Sequence, residues 1–268
     1  MLGKIIKYEW RATWKVNALL LGIFWASVFV MQLISFLPWN RVNEDVTIQL
    51  LFLVGMLLYG VILVINIGVP LYLTIRYYKS MYSNEGYLTH TLPATGNELY
   101  FGKWIQFIIW KVIVGVSIFL GVSMFVTVAI RVLGEPITMW EVWRRVAGFI
   151  VELGDGAEWY VVIALVFVSC VVTLINSSLK CLGVVNIGQL WKKNKVGGAI
   201  LIYLGIFVLE KILSYIIGIE LIFFGDMFES VYSYWNLQVI LGIVLQLVIG
   251  TVMLLSSIYI VNKRVNLE

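Results

Sequence analysis

Six long apolar stretches constrain the fold of this chain more than any other feature of its sequence. Each is at least as long as the roughly 20 residues that a membrane-spanning helix needs. Their apolar residues follow one another without the alternation expected for the ~10-residue strands of a membrane barrel, which favours helices. The predicted spans are residues 18–37, 48–75, 104–130, 160–179, 197–217 and 237–261.

The composition supports the same fold class. Apolar residues make up 61% of the 268 residues and charged residues only 13%, about half of the roughly 25% that is usual in soluble domains. One soluble domain of this size cannot bury so much apolar surface. We therefore expect an all-α integral membrane protein that forms a single domain over 1–268, and we exclude a soluble enzyme and a disordered chain.

The positions of the basic residues predict the orientation. With the N-terminus inside, 13 of the 19 Lys and Arg residues lie in cytoplasmic segments and four in outer loops. Cytoplasmic loops of membrane proteins carry such an excess of basic residues. We expect a multi-pass protein of the cell membrane with both termini in the cytoplasm.

The first sixteen residues predict an amphipathic helix. Apolar and aromatic side chains, Trp10 and Trp14 among them, recur at helical spacing beside a separate basic face. A helix of this kind is expected to lie in the plane of the inner membrane surface. It is either an anchor alone or also a contact for a cytoplasmic partner. The basic face carries Lys4, Lys7, Arg11 and Lys15.

The outer loop, 132–159, predicts a second amphipathic helix, which would end near Gly154. We expect it to lie on the outer leaflet, and we favour a lid without a specific ligand. Its apolar face carries Met139, Val142, Val146, Phe149, Ile150 and Leu153. Its polar face carries Glu141, Arg144, Arg145 and Glu152.

The cytoplasmic stretch between spans two and three, 76–103, has the strongest local signals. Span two is longer than a bilayer requires, so its helix is expected to project beyond the membrane. Asn84 to Gly86 has turn chemistry, and Thr95 to Glu98 is a capping box ahead of the next helix. Pro93 prevents helix continuation from upstream. We therefore expect a compact docking surface, and the alternative is that Glu85 and Gly86 only form a turn.

Two charged residues interrupt the fifth span. Glu210 and Lys211 would each cost about 2.5–3.5 kcal/mol at the centre of a bilayer. A break near Glu210 would bring both charges toward the outer surface. The following stretch, 212–224, would then form a re-entrant segment before the last span; a plain loop with an interfacial helix is the alternative.

The sequence offers little for catalysis. Residues 96–103 read G-N-E-L-Y-F-G-K, which has one residue too many for a phosphate-binding loop and no preceding strand. We therefore expect no ATPase site, no cofactor and no metal in this chain, and no nucleic-acid partner. The single histidine, His90, is more typical of a structural residue than of a pH sensor. Cys170 and Cys181 fit apolar filling positions.

Two segments resemble the type-2 permease family of ABC transporters, in the form common in low-GC Gram-positive bacteria. The opening Leu2-Gly3-Lys4-Ile5-Ile6-Lys7-Tyr8-Glu9-Trp10 is similar to the family's connecting helix. The run Glu-Gly-Tyr-Leu-Thr-His-Thr-Leu-Pro at 85–93 is similar to its first cytoplasmic loop. The resemblance implies six helices with a re-entrant hairpin before the last, a second permease copy or homologue, and separate ATP-binding cassette subunits.

The resemblance also implies which residues would contact the ATPase. The loop from Lys79 to Pro93 would be the surface that couples to the ATPase, and 180–195 would be the second inner loop. Within the first loop we expect Glu85 to form an ion pair with the ATPase and Tyr87 with Leu88 to form an apolar anchor. The implied coupling residues are Glu85, Gly86, Tyr87, Leu88, Thr89, Thr91, Leu92 and Pro93. Glu210 and Lys211 would belong to the outer re-entrant region.

The leading functional hypothesis is therefore the transmembrane subunit of an ATP-driven exporter in the lipid membrane. An apolar lining would suit a hydrophobic or amphipathic substrate, such as a drug or an antimicrobial peptide in a resistance role. Two alternatives remain open. One is a non-transporting membrane scaffold or sensor that recruits a cytoplasmic ATPase, and the other is an ion channel or secondary carrier.

Overall fold

A computed structural model of the chain describes residues 2–34, 36, 44–91, 93–133, 138–153, 159–191, 194–223 and 231–263. This part of the chain is helical and contains no strand. Its helices are α1 (Leu2–Ile34), α2 (Glu44–Tyr82), α3 (Asn84–His90), α4 (Gly96–Val132), α5 (Met139–Leu153), α6 (Trp159–Gly188), α7 (Lys195–Phe223) and α8 (Val231–Lys263).

Six of these helices are long and apolar enough to cross a membrane: α1, α2, α4, α6, α7 and α8. The predicted all-α class with six candidate spans is thereby confirmed within the described residues. The helices extend beyond the predicted apolar cores because polar residues continue the same helical hydrogen bonding. As expected from its length, α2 continues past the apolar run to Tyr82.

The first helix joins the two predicted N-terminal pieces. The amphipathic segment and the first span form one uninterrupted helix, α1. Its basic side chains are exposed, whereas Phe24, Val28 and Met31 recur at helical spacing on a buried face. The position of the first turns in the plane of a membrane stays a prediction.

The helix α5 lies where the second amphipathic pattern predicts it, and Gly154 falls outside the described residues. Its first turn is closed by Thr138 and Glu141. The Thr138 backbone N–H and hydroxyl donate to a Glu141 carboxylate oxygen at 2.7 and 2.9 Å, and the Glu141 N–H returns a bond to the hydroxyl. This is a capping box. The predicted box at Thr95 and Glu98 forms in the same way.

The break predicted near Glu210 is wrong. The helix α7 is continuous from Lys195 to Phe223 and includes most of 212–224; Phe224 lies outside the described residues. The physical reason is that Glu210 is not isolated: its carboxylate accepts from Lys180 of α6 at 2.8 Å. A paired charge does not carry the full cost of an unpaired charge in a span, so no break is needed.

The chain divides into two compact units, whose boundaries fall inside α1, α2, α4 and α5. Unit 1 comprises 1–9, 73–108 and 151–268, and unit 2 comprises 10–72 and 109–150. The prediction of one domain over 1–268 stays a prediction. Each unit is described by itself below.

In unit 1, α6 packs against α7 and α8. Leu179, Ile249 and Met253 form a buried apolar cluster between α6 and α8. The two helices approach closely at Gly183, where a Cβ atom would lie only 2.9 Å from the Met253 sulfur. The six residues 189–194 separate α6 from α7, so this connection is shorter than the predicted loop 180–195; its position on the inner side stays a prediction.

In unit 2, α1 and α4 are held together by aromatic contacts. The rings of Trp10 and Trp110 stack with centroids 4.4 Å apart, and the Trp110 indole N–H donates to the Thr13 hydroxyl at 3.1 Å. The aromatic residue that the sequence places on the amphipathic face of α1 thus contacts the protein's own helix. On α4, Phe119 stacks against Trp143 of α5 at 4.6 Å.

Candidate docking helix and its polar support

The short helix α3 connects α2 to α4 and contains most of the predicted coupling residues. Ser83 precedes its first turn in an extended conformation, and the Gly86 N–H donates to the Ser83 carbonyl at 2.6 Å. Asn84 to Gly86 therefore form the first turn of a helix instead of a separate turn. The sequence pattern alone favours a turn, since Asn and Gly are common in turns, and the Ser83 side chain makes no capping hydrogen bond to α3.

Two apolar side chains of α3 are strongly exposed. Tyr87 is 53% exposed and Leu88 is 74% exposed, although both are large and adjacent in sequence. Of the other predicted coupling residues, Gly86 is buried and Thr89 is half-buried. Thr91 and Pro93 are exposed, and Leu92 lies outside the described residues. These two neighbours form an exposed apolar pair on the connector between α2 and α4.

An ion pair attaches α3 to the end of α2. The Arg76 guanidinium lies 2.9 Å from the Glu85 carboxylate, and about half of the Glu85 side chain is exposed. Glu85 therefore has a partner within this chain. Its predicted ion pair with an ATPase stays a prediction, and it would have to share this carboxylate with Arg76.

A buried cluster of two phenols and one amide lies at the end of α2, just before α3 in the sequence. We call it the Asn186 cluster: Tyr77 and Tyr82 of α2 and Asn186 of α6. The hydroxyls of Tyr77 and Tyr82 donate to the Asn186 Oδ1 at 2.7 and 2.8 Å. All three side chains are at most 3% exposed. One acceptor thus fixes two side chains at the end of α2 against α6.

A second buried polar group joins α1, α2 and α4 within unit 1. The Lys103 ammonium donates to the Glu9 carboxylate and, at 2.8 Å, to the Ser80 hydroxyl. Lys103 is 5% exposed and Glu9 is 6% exposed. Next to this pair, Ile5 lies close to Gly102, where a Cβ atom would come within 2.8 Å of the Ile5 Cγ2. The first turns of α1 are therefore packed tightly against the start of α4.

Sequence reasoning placed Glu9 in the N-terminal helix and Ser80 in the coupling loop without a role for either side chain, and it did not single out Asn186. Asn186 lies in a mostly apolar stretch, where a single polar residue gives no periodic signal. The sequence did contain a chemical indication, because a polar residue within an apolar helix needs a hydrogen-bond partner. This indication identifies the residue, but it does not identify the helix that carries the partner.

The two charged residues predicted for the outer region have separate surroundings. Both oxygens of Glu210 accept from Lys180, at 2.9 and 2.8 Å. The Lys211 ammonium lies 5.7 Å from the centre of the Phe207 ring, a distance typical of a cation–π contact. Both contacts lie within unit 1.

Among the described residues, no group of three or more His, Cys, Asp or Glu side chains could hold a metal ion. No protein-family model matches the chain, and neither a curated protein nor a solved structure matches it significantly. The arrangement of α3 and its polar support is therefore the basis for a functional proposal.

Proposed function

We propose that the chain is the transmembrane subunit of an ATP-driven ABC exporter in the cell membrane. It would pair with a second permease copy or homologue and use a separate ATP-binding cassette subunit. Both termini and α3 would lie in the cytoplasm, and the exposed basic face of α1 would meet the inner membrane surface. The substrate would be hydrophobic or amphipathic, such as a drug or an antimicrobial peptide.

One observation supports this proposal most directly: Tyr87 and Leu88 of α3 are exposed, while the neighbouring Glu85 holds α3 to Arg76 of α2. Binding surfaces concentrate their energy in a few aromatic or apolar anchors. Tyr87 and Leu88 are adjacent, so together they form a small apolar surface that a partner could contact. The resemblance of 85–93 to the coupling loop of type-2 permeases points to an ATPase as the partner.

The contacts that join α3 to the longer helices also suit an element that couples ATP hydrolysis to transport. The Arg76–Glu85 ion pair and the Asn186 cluster link α3 to α2 and, through α2, to α6. A force applied to α3 would reach these helices through specific side-chain contacts. Transport coupled to ATP hydrolysis requires such a mechanical link between the ATPase and the spans.

The test begins with purification of the tagged chain from its native membrane, followed by identification of a co-purifying subunit with a phosphate-binding loop. ATP hydrolysis and ATP-dependent substrate movement are then measured in proteoliposomes. Tyr87→Ala with Leu88→Ala should weaken assembly by about 30-fold or more, the effect of losing at least ~2 kcal/mol at an interface anchor. The control is Trp140→Ala, which removes a side chain that is 69% exposed on α5.

Three results would contradict the proposal. An ATPase that binds without any ATP-dependent transport would indicate a scaffold or sensor. Ion conductance or ion-coupled uptake without ATP would indicate a channel or secondary carrier. Equal assembly of the α3 variant and the Trp140→Ala control would remove α3 from the coupling mechanism.

A further inference from the structure

Three packed helices of unit 1 each carry a polar side chain near the middle of an apolar span. Thr173 lies near the middle of α6, Glu210 near the middle of α7 and Gln246 near the middle of α8. The shortest of these helices, α7, has 29 residues and therefore extends about 43 Å. Since the hydrocarbon core of a bilayer is about 30 Å thick, the middle of each helix lies within that core when the helix crosses a membrane.

These polar side chains meet along one face of α6. Thr173, Ser177 and Lys180 recur at intervals of four and three positions, which places them on the same side of the helix. We call these three residues the polar face of α6. The Thr173 hydroxyl donates to the Gln246 Oε1 at 3.0 Å, and the Lys180 ammonium donates to both Glu210 oxygens at 2.9 and 2.8 Å. The polar face therefore borders both α7 and α8.

The neighbouring helices leave the polar face of α6 partly open. Thr173 is exposed and Ser177 is half-buried, and the side chains of Lys180 and Glu210 are each 20% exposed. The bond from Thr173 uses only the carbonyl oxygen of the Gln246 amide, and the nitrogen of that amide carries two further donors. Polar atoms at this depth can therefore still be reached from outside the helices.

Lipid is an unfavourable neighbour for such a face. An amide or an ammonium that faced hydrocarbon would lose its bonds to water without gaining replacements. Charged side chains within spans accordingly face the interior of a bundle or a water-filled cavity. The opposite side of α6 differs, because Val171 and Ile175 are exposed there and are apolar. Each lies two positions from Thr173, which turns it by about 160° around the helix axis.

We propose that the polar face of α6 lines a water-filled cavity within the membrane. Water completes the hydrogen bonding of the Gln246 amide and hydrates the Lys180–Glu210 pair, whereas the opposite side of α6 faces acyl chains. The cavity admits hydrated polar groups to the middle of the bilayer. It requires only that α6, α7 and α8 cross a membrane, so it does not depend on the proposed export function.

Cysteine labelling tests the proposal with controls at the same depth. Both native cysteines of the full chain are replaced by alanine, and a single cysteine is introduced at one position. Thr173→Cys and Ser177→Cys place it on the polar face, and Val171→Cys and Ile175→Cys place it on the opposite side of α6. Each variant is reconstituted in phospholipid vesicles with the charged reagent sulfonatoethyl methanethiosulfonate on both sides of the membrane.

The mass of the intact protein, followed over time, gives the rate of modification. A thiol reacts as the thiolate, which forms much less readily in apolar surroundings, so cysteines on the polar face should react at least about tenfold faster than the controls. Thermal unfolding verifies that each variant is folded, and all four cysteines should react alike in the denatured chain. If Thr173→Cys unfolds, Ser177→Cys decides the test, because it only exchanges oxygen for sulfur.

Rates on the polar face no higher than those of Val171→Cys and Ile175→Cys would overturn the proposal, because lipid would then cover that face. Disulfide-linked dimers through Thr173→Cys or Ser177→Cys, together with protection from the reagent, would also overturn it, since a second copy of the chain would cover the face. A chain that binds no ATPase would show the same labelling, so the two proposals fail independently.

Discussion

Lys180 of α6 donates to both carboxylate oxygens of Glu210 on α7, at 2.9 and 2.8 Å. Both residues lie within helices that are apolar enough to span a membrane, and each side chain is 20% exposed. The pair allows a charged residue in α7 without interrupting the helix. The contribution of this ion pair to stability should therefore become measurable when one partner is removed.

Lys180→Met should destabilise the protein by on the order of 3 kcal/mol, because it leaves the Glu210 charge without its partner. The double variant Lys180→Met with Glu210→Leu should recover most of this loss, since two apolar side chains pack well in a span. Thermal unfolding in the same detergent measures the loss of stability in the single variant and its recovery in the double variant. A double variant as unstable as the single one would show that the pair does not explain the continuity of α7.

Removing the shared hydrogen-bond acceptor of the Asn186 cluster should lower the free energy of unfolding. Asn186→Ala leaves the hydroxyls of Tyr77 and Tyr82 buried without their acceptor, and each unsatisfied group costs about 1–3 kcal/mol. The matched control is Asn97→Ala, which removes the partner of Asn262 in an exposed amide pair at 2.7 Å. Denaturant unfolding should show a much larger loss for Asn186→Ala. Equal losses would contradict the burial argument.

The capping box of α5 makes its first turn sensitive to acid. Hydrogen bonds from the Thr138 backbone and hydroxyl, followed by the charges of Arg144 and Arg145, lower the pKa of Glu141. The ionised carboxylate is thus favoured in the folded state. Its stabilising effect is complete above the usual pKa of a glutamate and is lost as the pH falls through the lowered value.

Thr138→Val should raise the pKa of Glu141 toward its ordinary value, because it removes the hydroxyl donor. Carbon-13 NMR titration of the Glu141 carboxyl in nanodiscs measures the change. Arg144→Gln is the control and should have a smaller effect, since the arginine charges contribute less than the Thr138 bonds. A larger shift in Arg144→Gln would refute the assignment to the capping box.

The close approach of α1 and α4 predicts a steric effect at Gly102. A Cβ atom there would lie 2.8 Å from the Ile5 Cγ2 and 3.2 Å from its Cβ, and a β-branched side chain has little freedom to yield. Gly102→Ala should cost about 1–3 kcal/mol. Gly115→Ala on the same helix has open space and should be neutral or slightly stabilising. Unfolding midpoints that change alike would contradict the tight packing.

The local features of the fold could be predicted from the sequence. The amphipathic pattern that begins at Met139 defines α5, and the box at Thr95 and Glu98 defines the start of α4, because both depend on neighbours within a few residues. The contact between Lys180 and Glu210 could not be predicted. It depends on how each of two apolar helices is rotated about its own axis. A sequence that is apolar on all sides does not indicate which side faces the neighbouring helix.

The same limit applies to the candidate docking site. The sequence identified the segment around Glu85 but described its start as a turn, since Asn and Gly fit both structures. The partner of Glu85 within the chain, Arg76, lies on the preceding helix and was counted only as a basic residue. Asn186 was missed because its partners lie more than 100 positions away.

The helix α3 has seven residues, far fewer than the 12–15 that make an isolated helix even marginally stable in water. A helix this short depends on the rest of the protein for its helical state, and the Arg76–Glu85 ion pair joins it to α2. The relative position of the exposed Tyr87 and Leu88 side chains therefore depends on the fold of the helices on either side and not on α3 alone.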